Sequence, residues 1–447
     1  MKNHLWGAIL LALVVLAAAC SPDENTDLDD RLSVALHAAD PVNGKAGFKL
    51  PKSYDFASIP QDPRNALTGE KVTLGRLLYH ETGLATNPKR PEGTGTYSCA
   101  SCHFASAGFQ AGRFQGIGEG GSGIGHNGQD RLRIDTYLPE ELDVQPVRSP
   151  TTLNVAYQQV MLWNGQFGAT GPNTGTEAQW TEGTPIATNH LGYEGVETQA
   201  IAGLNVHRLV INEAYLESLG YTNLFDAAFP EVPEATRYSR EMAGLAIAAY
   251  ERTLLANQTP FQRYLEGKPN AMNDAEKRGA LLFFGEANCV SCHRGPALST
   301  MTFYAFGMGD LDQCPEQTFG AGMDTPANLG RASFTHNDAD KYAFKTPTLY
   351  NMKDSPFYGH GGTFRSISEV VNYKNGGVPQ NDRVPASYLA DQFRPLGLTA
   401  AEVNDITAFL TTALYDADLH RYEPAYLLSG QCFPNNDVQS SLDLGCN

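Results

Sequence analysis

Residues 99–103 read CASCH and residues 289–293 read CVSCH, one five-residue device used twice in a chain of 447. In each, two cysteines stand three residues apart and a histidine follows at once. On a helical turn that spacing sets both thiols on one side. From there they reach the two vinyl groups of one haem, and the next residue comes beneath the iron as an imidazole ligand. A redox dithiol has no use for the histidine, and a four-cysteine zinc site would have to draw the two distant pairs together. The device therefore predicts two covalently bound haem c groups. Cys99, Cys102 and His103 would hold the first, Cys289, Cys292 and His293 the second, with the two histidines as proximal iron ligands.

The flanks repeat as well. LGRLLYHETGLA (74–85) precedes the first device and RGALLFFGEANCVSCH (278–293) leads into the second. Each carries a glycine and then a Leu-Leu-aromatic run at helical spacing. The expected fold is mainly α, two tandem class I cytochrome c-like domains with helices round each haem and long loops over the haem edges. The Pro-rich polar stretch DAAFPEVPEATRYSR (226–240) marks the boundary. The expected order is an N-terminal haem domain over 61–232, a C-terminal haem domain over 233–430 and a tail over 431–447.

The first twenty residues have another purpose. Lys2 gives a short basic start, and LWGAILLALVVLAAAC (5–20) is apolar but too short to span a bilayer comfortably. It reads as an export signal. Cys20 behind three alanines resembles a bacterial lipoprotein processing box, which implies lipidation at Cys20, and Ser21 after it favours the outer membrane. Residues 21–60, polar and acidic at first, read as a tether. The expected location is the periplasmic side of a bacterial membrane, lipid-anchored. Forty-nine acidic against 32 basic residues give a net charge of −17, which argues against nucleic acid as a partner and suits a basic one. Beyond Cys20 and the four device cysteines, Cys314, Cys432 and Cys446 remain. Export suggests one disulfide and one spare thiol among them; Cys432 and Cys446 could close a short loop, but spacing leaves the pairing open.

Several further stretches, in order, are RSPTTLNVAYQQVMLWNGQ (148–166), ETQAIAG (197–203), AAYERTLLANQTPFQRYL (248–265), FKTPTLYNMKDSPFYGHGGTFRSISEVVNYKNGG (344–377) and LTAAEVNDITAFLTTAL (398–414). With the devices they make residues 68–415 resemble the bacterial di-haem cytochrome c peroxidase family, which includes the MauG-type oxidases. The resemblance implies that the first haem meets hydrogen peroxide while the second, six-coordinate, receives electrons from a small c-type cytochrome or cupredoxin. It also implies alternatives: a MauG-like oxidase acting on a tryptophan or tyrosine of a partner protein, or a non-enzymatic di-haem electron carrier.

Ligands and catalytic groups follow from the same resemblance. Opposite His293 the family usually supplies a methionine after the helix that RSISEVVNYKNGG matches; none stands there, and Tyr373 matches the tyrosine of MauG-type members. Met308, Met352 and Lys374 remain alternatives. A mobile-loop histidine plugs the first haem in many members, and His126 in GRFQGIGEGGSGIGHNGQDR (112–131) is its candidate. Gln199 matches the family motif, Gly203 replaces a typical proline, and His207 stands near the place of the distal acid, with Glu197 and Glu194 as fallback acids. Trp163 matches the tryptophan between the haems, and His360 a structural histidine near them. The resemblance admits a calcium ion on backbone carbonyls of Lys345 and Pro347, although Ser149 replaces the usual asparagine. It admits a homodimer too.

Overall fold

The structure is a computed structural model that describes residues 24–446; the 1–20 leader and Cys20 lie outside the described residues. The framing helices, in chain order, are α1 (Glu24–Ala39), α2 (Gly69–His80), α3 (Gly195–Val206), α4 (Arg240–Arg252), α5 (Asp274–Phe284), α6 (Ile367–Gly376), α7 (Ala400–Ala408) and α8 (Val438–Leu444). Strand is confined, among the described residues, to two antiparallel two-residue pairs: β1 (Gly121–Ser122) with β2 (Leu132–Arg133), and β3 (Phe303–Tyr304) with β4 (Phe344–Lys345). Long stretches between the helices are turns and short 3₁₀ segments. None of the described helices is long and apolar enough to cross a membrane.

Local sequence starts the helices where they start. Thr68 accepts a bond from the Lys71 N–H at the head of α2, and Ser239 from that of Met242 at the head of α4. The helices of the second half use full capping boxes: Asn273 with Glu276, Ser366 with Glu369, Thr399 with Glu402.

Two close helix crossings then repeat. A Cβ built on Gly75 of α2 would lie 1.8 Å from the Ala246 carbonyl oxygen of α4, and one on Gly279 of α5 would lie 2.0 Å from that of Asp405 on α7. Only glycine allows backbones this near. The repeated glycine in the two flanks is thus the crossing point of each helix pair. Around these crossings Leu78, Tyr79 and Tyr250 on one side and Phe283, Phe261 and Phe409 on the other are buried in one continuous apolar core.

Two expectations about chain organisation differ from the observed packing. The boundary near residue 233 falls too early, because α4 packs on α2 and α3 and completes the first half rather than opening the second. Its Ala-rich run Ala243–Ala249 is buried, and such a face belongs between neighbours. The repeat unit therefore ends after Arg252 and restarts at Asp274.

Residues 24–60 are not a free tether. α1 packs on α5 with Leu32 and Leu36 fully buried, and Phe48 rests edge-on against Phe284 at 5.0 Å. Each buried leucine stabilises by roughly 2 kcal/mol, enough to hold an otherwise acidic helix on the body. The buried Gln262 side chain takes the Leu50 N–H and gives to the Phe48 carbonyl, both at 2.9 Å.

The tail is folded too. Cys432 and Cys446 are disulfide-bonded, and Cys314 stays a free buried thiol. Asp437 of this tail pairs with buried Arg131 at 3.2 Å and takes the Gly123 N–H at 2.9 Å. The Pro434 carbonyl accepts from the hydroxyls of Ser98 and Ser101, each at 3.2 Å, so the C-terminus braces the first cysteine device directly.

Candidate functional site

Each cysteine device sits in a short 3₁₀ turn, Cys99–Ser101 and Cys289–Ser291. All four cysteines are unbridged. Burial pushes the Cys99, Cys102 and Cys289 thiols up to about 12, the opposite of what a reactive dithiol needs.

The histidines are held alike. His103 Nδ1 faces the Phe109 carbonyl at 3.4 Å, and His293 Nδ1 faces that of Leu298 at 3.0 Å. With Nδ1 donating, Nε2 is left bare for iron. Phe109 and Leu298 both take left-handed backbone, φ +54° and +46°, a costly conformation that turns the carbonyl toward the ring. Burial drives both imidazoles down to about 4, which keeps them neutral, the form a metal needs.

Orphaned donors surround the devices. Tyr97 Oη and Arg113 Nε and Nη1 are buried without hydrogen-bond partners, and the Arg113 charge is felt at Cys102. Arg148 Nε is likewise orphaned in the wall of a cavity beside Cys292 and His293. Unpaired buried donors are expensive. A flat apolar ring carrying carboxylates would cover the cavity walls and engage such donors, so the residues present fit haem.

Above the first device, α3 ends at His207. Its Nδ1 bonds Asp143 Oδ2 at 2.7 Å. Arg208, at φ +56°, reaches the same carboxylate at 3.3 Å and buried Glu119 at 2.7 Å. Burial opposes charge on the His207 ring, but the Asp143 carboxylate outweighs it and holds the imidazole above its ordinary value. That charge is felt at His103, which places His207 at the first device. Gly203 opens the space one turn earlier: a Cβ there would meet nothing nearer than Gln199 Nε2 at 3.8 Å and His207 Cδ2 at 4.0 Å.

The fallback acids are elsewhere. Glu197 is buried in a bidentate pair with Arg252, 2.6 and 2.8 Å, and Glu194 bonds the same guanidinium at 3.0 Å. This pair ties α3 to α4, and it leaves neither carboxylate free to move a proton. Sequence reasoning passed over Glu251, the neighbour of Arg252. Its Oε2 is buried without a partner, burial raises its carboxyl to about 8, and its charge is felt at Cys99. His126 is exposed, and its loop is pinned by Asp443, which takes the Ile124 and Gly125 N–H groups at 2.8 and 2.9 Å. A histidine on so anchored a loop is not placed to swing.

Around the second device the cavity is lined by Cys292, His293, Met308, Met352 and Lys374, with one face of α6 supplying Ile367, Val370, Val371 and Lys374. Tyr373, the expected ligand, points away from it. Its hydroxyl donates to the Phe306 carbonyl at 2.5 Å and accepts from the Gln380 N–H at 3.2 Å, and its ring packs on Phe364 and Phe393. Lys374 turns inward instead, and burial pushes its ammonium down to about 7.

Trp163 faces the second device and is hydrogen-bonded to the chain at Arg148. Its indole N–H donates to the Arg148 carbonyl at 2.7 Å, and the Arg148 guanidinium is near enough to be felt at His103. Trp163 also lines the His293 cavity, edge-on to His360 at 6.4 Å. His360 is stacked on Phe344 at 3.6 Å and bonded to Asp310 at 3.0 Å, a structural setting.

Lys345 and Pro347, the two calcium candidates, both line the cavity of the second device. The Lys345 side chain bonds Gln158, and the Pro347 carbonyl faces the His293 ring. Among the described residues no group of three or more His, Cys, Asp or Glu could hold a metal ion.

Comparison with known proteins agrees with this geometry. Residues 69–270 match the family described as di-haem cytochrome c peroxidase. The chain is 30% identical over 381 residues to cytochrome-c peroxidase IdrP1 of Denitromonas iodatirespirans, covering 81% of this chain and 86% of that one. It is 29% identical over 372 residues to the methylamine utilization protein MauG of Methylorubrum extorquens, covering 82% and 83%. Among solved structures, a MauG-like protein associated with microbial copper homeostasis shares the fold, with a TM-score of 0.54, 24% identity, and coverage of 83% and 95%. By its twin devices, its repeated helix crossings and these likenesses, the chain belongs to the di-haem cytochrome c peroxidase family.

Proposed function

We propose that this protein is a di-haem c-type peroxidase reducing hydrogen peroxide to water at its first site. Cys99 and Cys102 would hold one haem through thioether bonds with His103 as its iron ligand, and Cys289 and Cys292 the other with His293, each in a cytochrome c-like half. Bound haem would supply the redox chemistry that breaks the O–O bond. The chain supplies a place for peroxide and a route for its proton. Gly203 leaves room beside Gln199, whose amide orients the peroxide. His207 Nε2 takes the proton from the near oxygen and returns it to the departing one, so that water leaves rather than hydroxide. Asp143, bonded to Nδ1, fixes the ring tautomer and steadies its charged form.

Trp163 passes electrons between the halves, and a small c-type cytochrome or cupredoxin refills them. The acidic surface steers a basic donor inward. The leader and Cys20 support export to the periplasmic side with a lipid anchor, which mass analysis of the mature N-terminus would test.

The observation that carries this reading is the His207–Asp143 pair at 2.7 Å, with its charge felt at His103. His207→Ala should lower peroxide turnover by about 10²–10⁴-fold while the haem spectra stay unchanged. Unchanged turnover would remove His207 from the reaction.

A second reading, a MauG-like oxidase of a partner protein, is favoured by the pinned, exposed His126, since no plug then needs reductive release. Peroxide consumption by the fully ferric protein would support it. Consumption only by the half-reduced protein would support the peroxidase, and no reaction in either state would leave an electron carrier.

A further inference from the structure

The amine of Lys374 is a polar atom without an evident employer. Its Nζ is buried with no hydrogen-bond partner, inside the cavity that Cys292 and His293 line. It lies 3.0 Å from the centroid of the Phe306 ring, with Phe393 and Tyr373 rings at 5.5 and 6.0 Å. Its charge is felt at His293 and Cys289, and Cys292 lines the same cavity, so amine, imidazole and thiols border one space. An ammonium left there unpaired is unfavourable, whereas a neutral amine offers a lone pair to a metal.

The repeat shows what this position means. α6 starts directly after the bridged turn of Tyr358 with Phe364, and α3 follows the corresponding turn of Met161 with Phe167 after a longer run of 3₁₀ segments. Each helix then buries apolar side chains four apart, Val196 and Ala200 in α3, Ile367 and Val371 in α6. Continuing the face, the spacing i, i+3, i+4, i+7 gives Val196, Gln199, Ala200 and Gly203 in α3, and Ile367, Val370, Val371 and Lys374 in α6. On this spacing Lys374 takes on α6 the position that Gly203 takes on α3. One half has no side chain there, and the other has the longest unbranched one that ends in a lone-pair donor.

We propose that Lys374 Nζ is the sixth ligand of the second haem iron, with His293 as the fifth. The inference rests on the di-haem reading and deepens it. The second site is closed by lysine rather than by methionine or tyrosine, while the first is left open. Tyr373, one residue away, is spent on the Phe306 carbonyl and cannot serve both roles. The rival account is that the ammonium merely rests on the aromatic faces.

The test uses the full-length holoprotein, with haem content per chain measured first; fewer than two haems would defeat the di-haem reading itself. With two present, low-temperature electron paramagnetic resonance and near-infrared magnetic circular dichroism of the ferric protein are compared across variants. Lys374→Ala and Lys374→Arg should each lose one haem's worth of low-spin signal and gain as much high-spin signal. Arginine keeps the charge and the aromatic contact but offers no lone pair, so an unchanged Lys374→Arg spectrum would establish the rival and overturn the proposal. Should the alanine variant lose haem altogether, Lys374→Met decides the matter. A thioether would restore a low-spin haem with a shifted near-infrared band, and an unshifted band would overturn the proposal. Tyr373→Phe, Met308→Leu and Met352→Leu should leave the spectra as they are, and loss of the low-spin signal in any of them would reassign the ligand.

Discussion

With the haems held as proposed, the two halves are copies in what lies beneath the iron and strangers in what lies above. Beneath, the parts pair off: Gly75 with Gly279 at the helix crossings, Phe109 with Leu298 at positive φ, and Asn154 with Asn351 at φ +58° and +52°. Even Trp163 and His360 occupy like places, each two residues into its bridged turn. Above, α3 offers Gln199, an empty Gly203 and the His207–Asp143 pair, whereas α6 offers Val370 and Lys374. The scaffold that seats a proximal histidine serves any haem of this type. Whether an iron meets substrate or only passes electrons is decided by a few side chains on one helix face.

The largest expected effect tests the shared scaffold. Gly75→Ala should wreck the first half and Gly279→Ala the second, since each Cβ would fall within about 2 Å of a carbonyl oxygen in the neighbouring helix. Overpacking of this kind costs on the order of 3 kcal/mol. Haem retention and high-spin to low-spin ratio would show which site failed. If the halves are equivalent in scaffold, Gly75→Ala removes the high-spin haem and Gly279→Ala the low-spin one. Loss of both signals from either variant would mean that the common core binds the halves into one cooperative unit.

The second expected effect sharpens a difference. Among the described residues, the C-terminal segment braces the first site, through the Pro434 carbonyl on Ser98 and Ser101 and through the ring of Phe433 against His80 at 5.4 Å. The Cys432–Cys446 bond, 14 residues apart in sequence, holds that tail in its loop. Cys432→Ser should cost about 2 kcal/mol, and hydrogen exchange should quicken across residues 98–103 and leave 289–293 unchanged. Equal quickening at both devices would show that the brace is not local.

How much of this was readable beforehand follows the range of the interactions. The devices, the repeated helices and the glycine in each flank are local patterns and stood in the sequence, whereas the partners those glycines meet, Ala246 and Asp405, did not. The face of α6 stood there as well, since Ile367, Val370, Val371 and Lys374 fall at helical spacing. The family likeness favoured Tyr373, but one residue is about 100° of helix, enough to turn a side chain from cavity to flank. Other points were not local. Glu197 meets Arg252 and His207 meets Asp143 only through the folded chain, so neither the loss of Glu197 as an acid nor the carboxylate partner of His207 could be read from spacing. α1 was misread as a tether because its acidic residues outnumber the two leucines that anchor it.

The smallest expected effect concerns pH, and it should appear in the first half alone. The His207 imidazole is raised above its ordinary value by Asp143, and the Asp143 carboxyl is lowered, against its own burial, by His207 and Arg208. The histidine's contribution to stability is thus complete below its unfolded value near neutrality and fades as pH rises through its folded value. The aspartate's contribution is present above the ordinary carboxylate range and fades as pH falls through its lowered value. With about a third of the His207 side chain exposed, the pair should be worth less than about 1 kcal/mol. Urea midpoints for the first half should therefore decline slightly from neutral to mildly alkaline pH. Asp143→Asn should flatten that slope and also depress peroxide turnover, because the amide no longer steadies the charged ring. A second half whose midpoint moved in parallel would mean that the slope belongs to the whole chain, and the electrostatic distinction between the two sites would be lost.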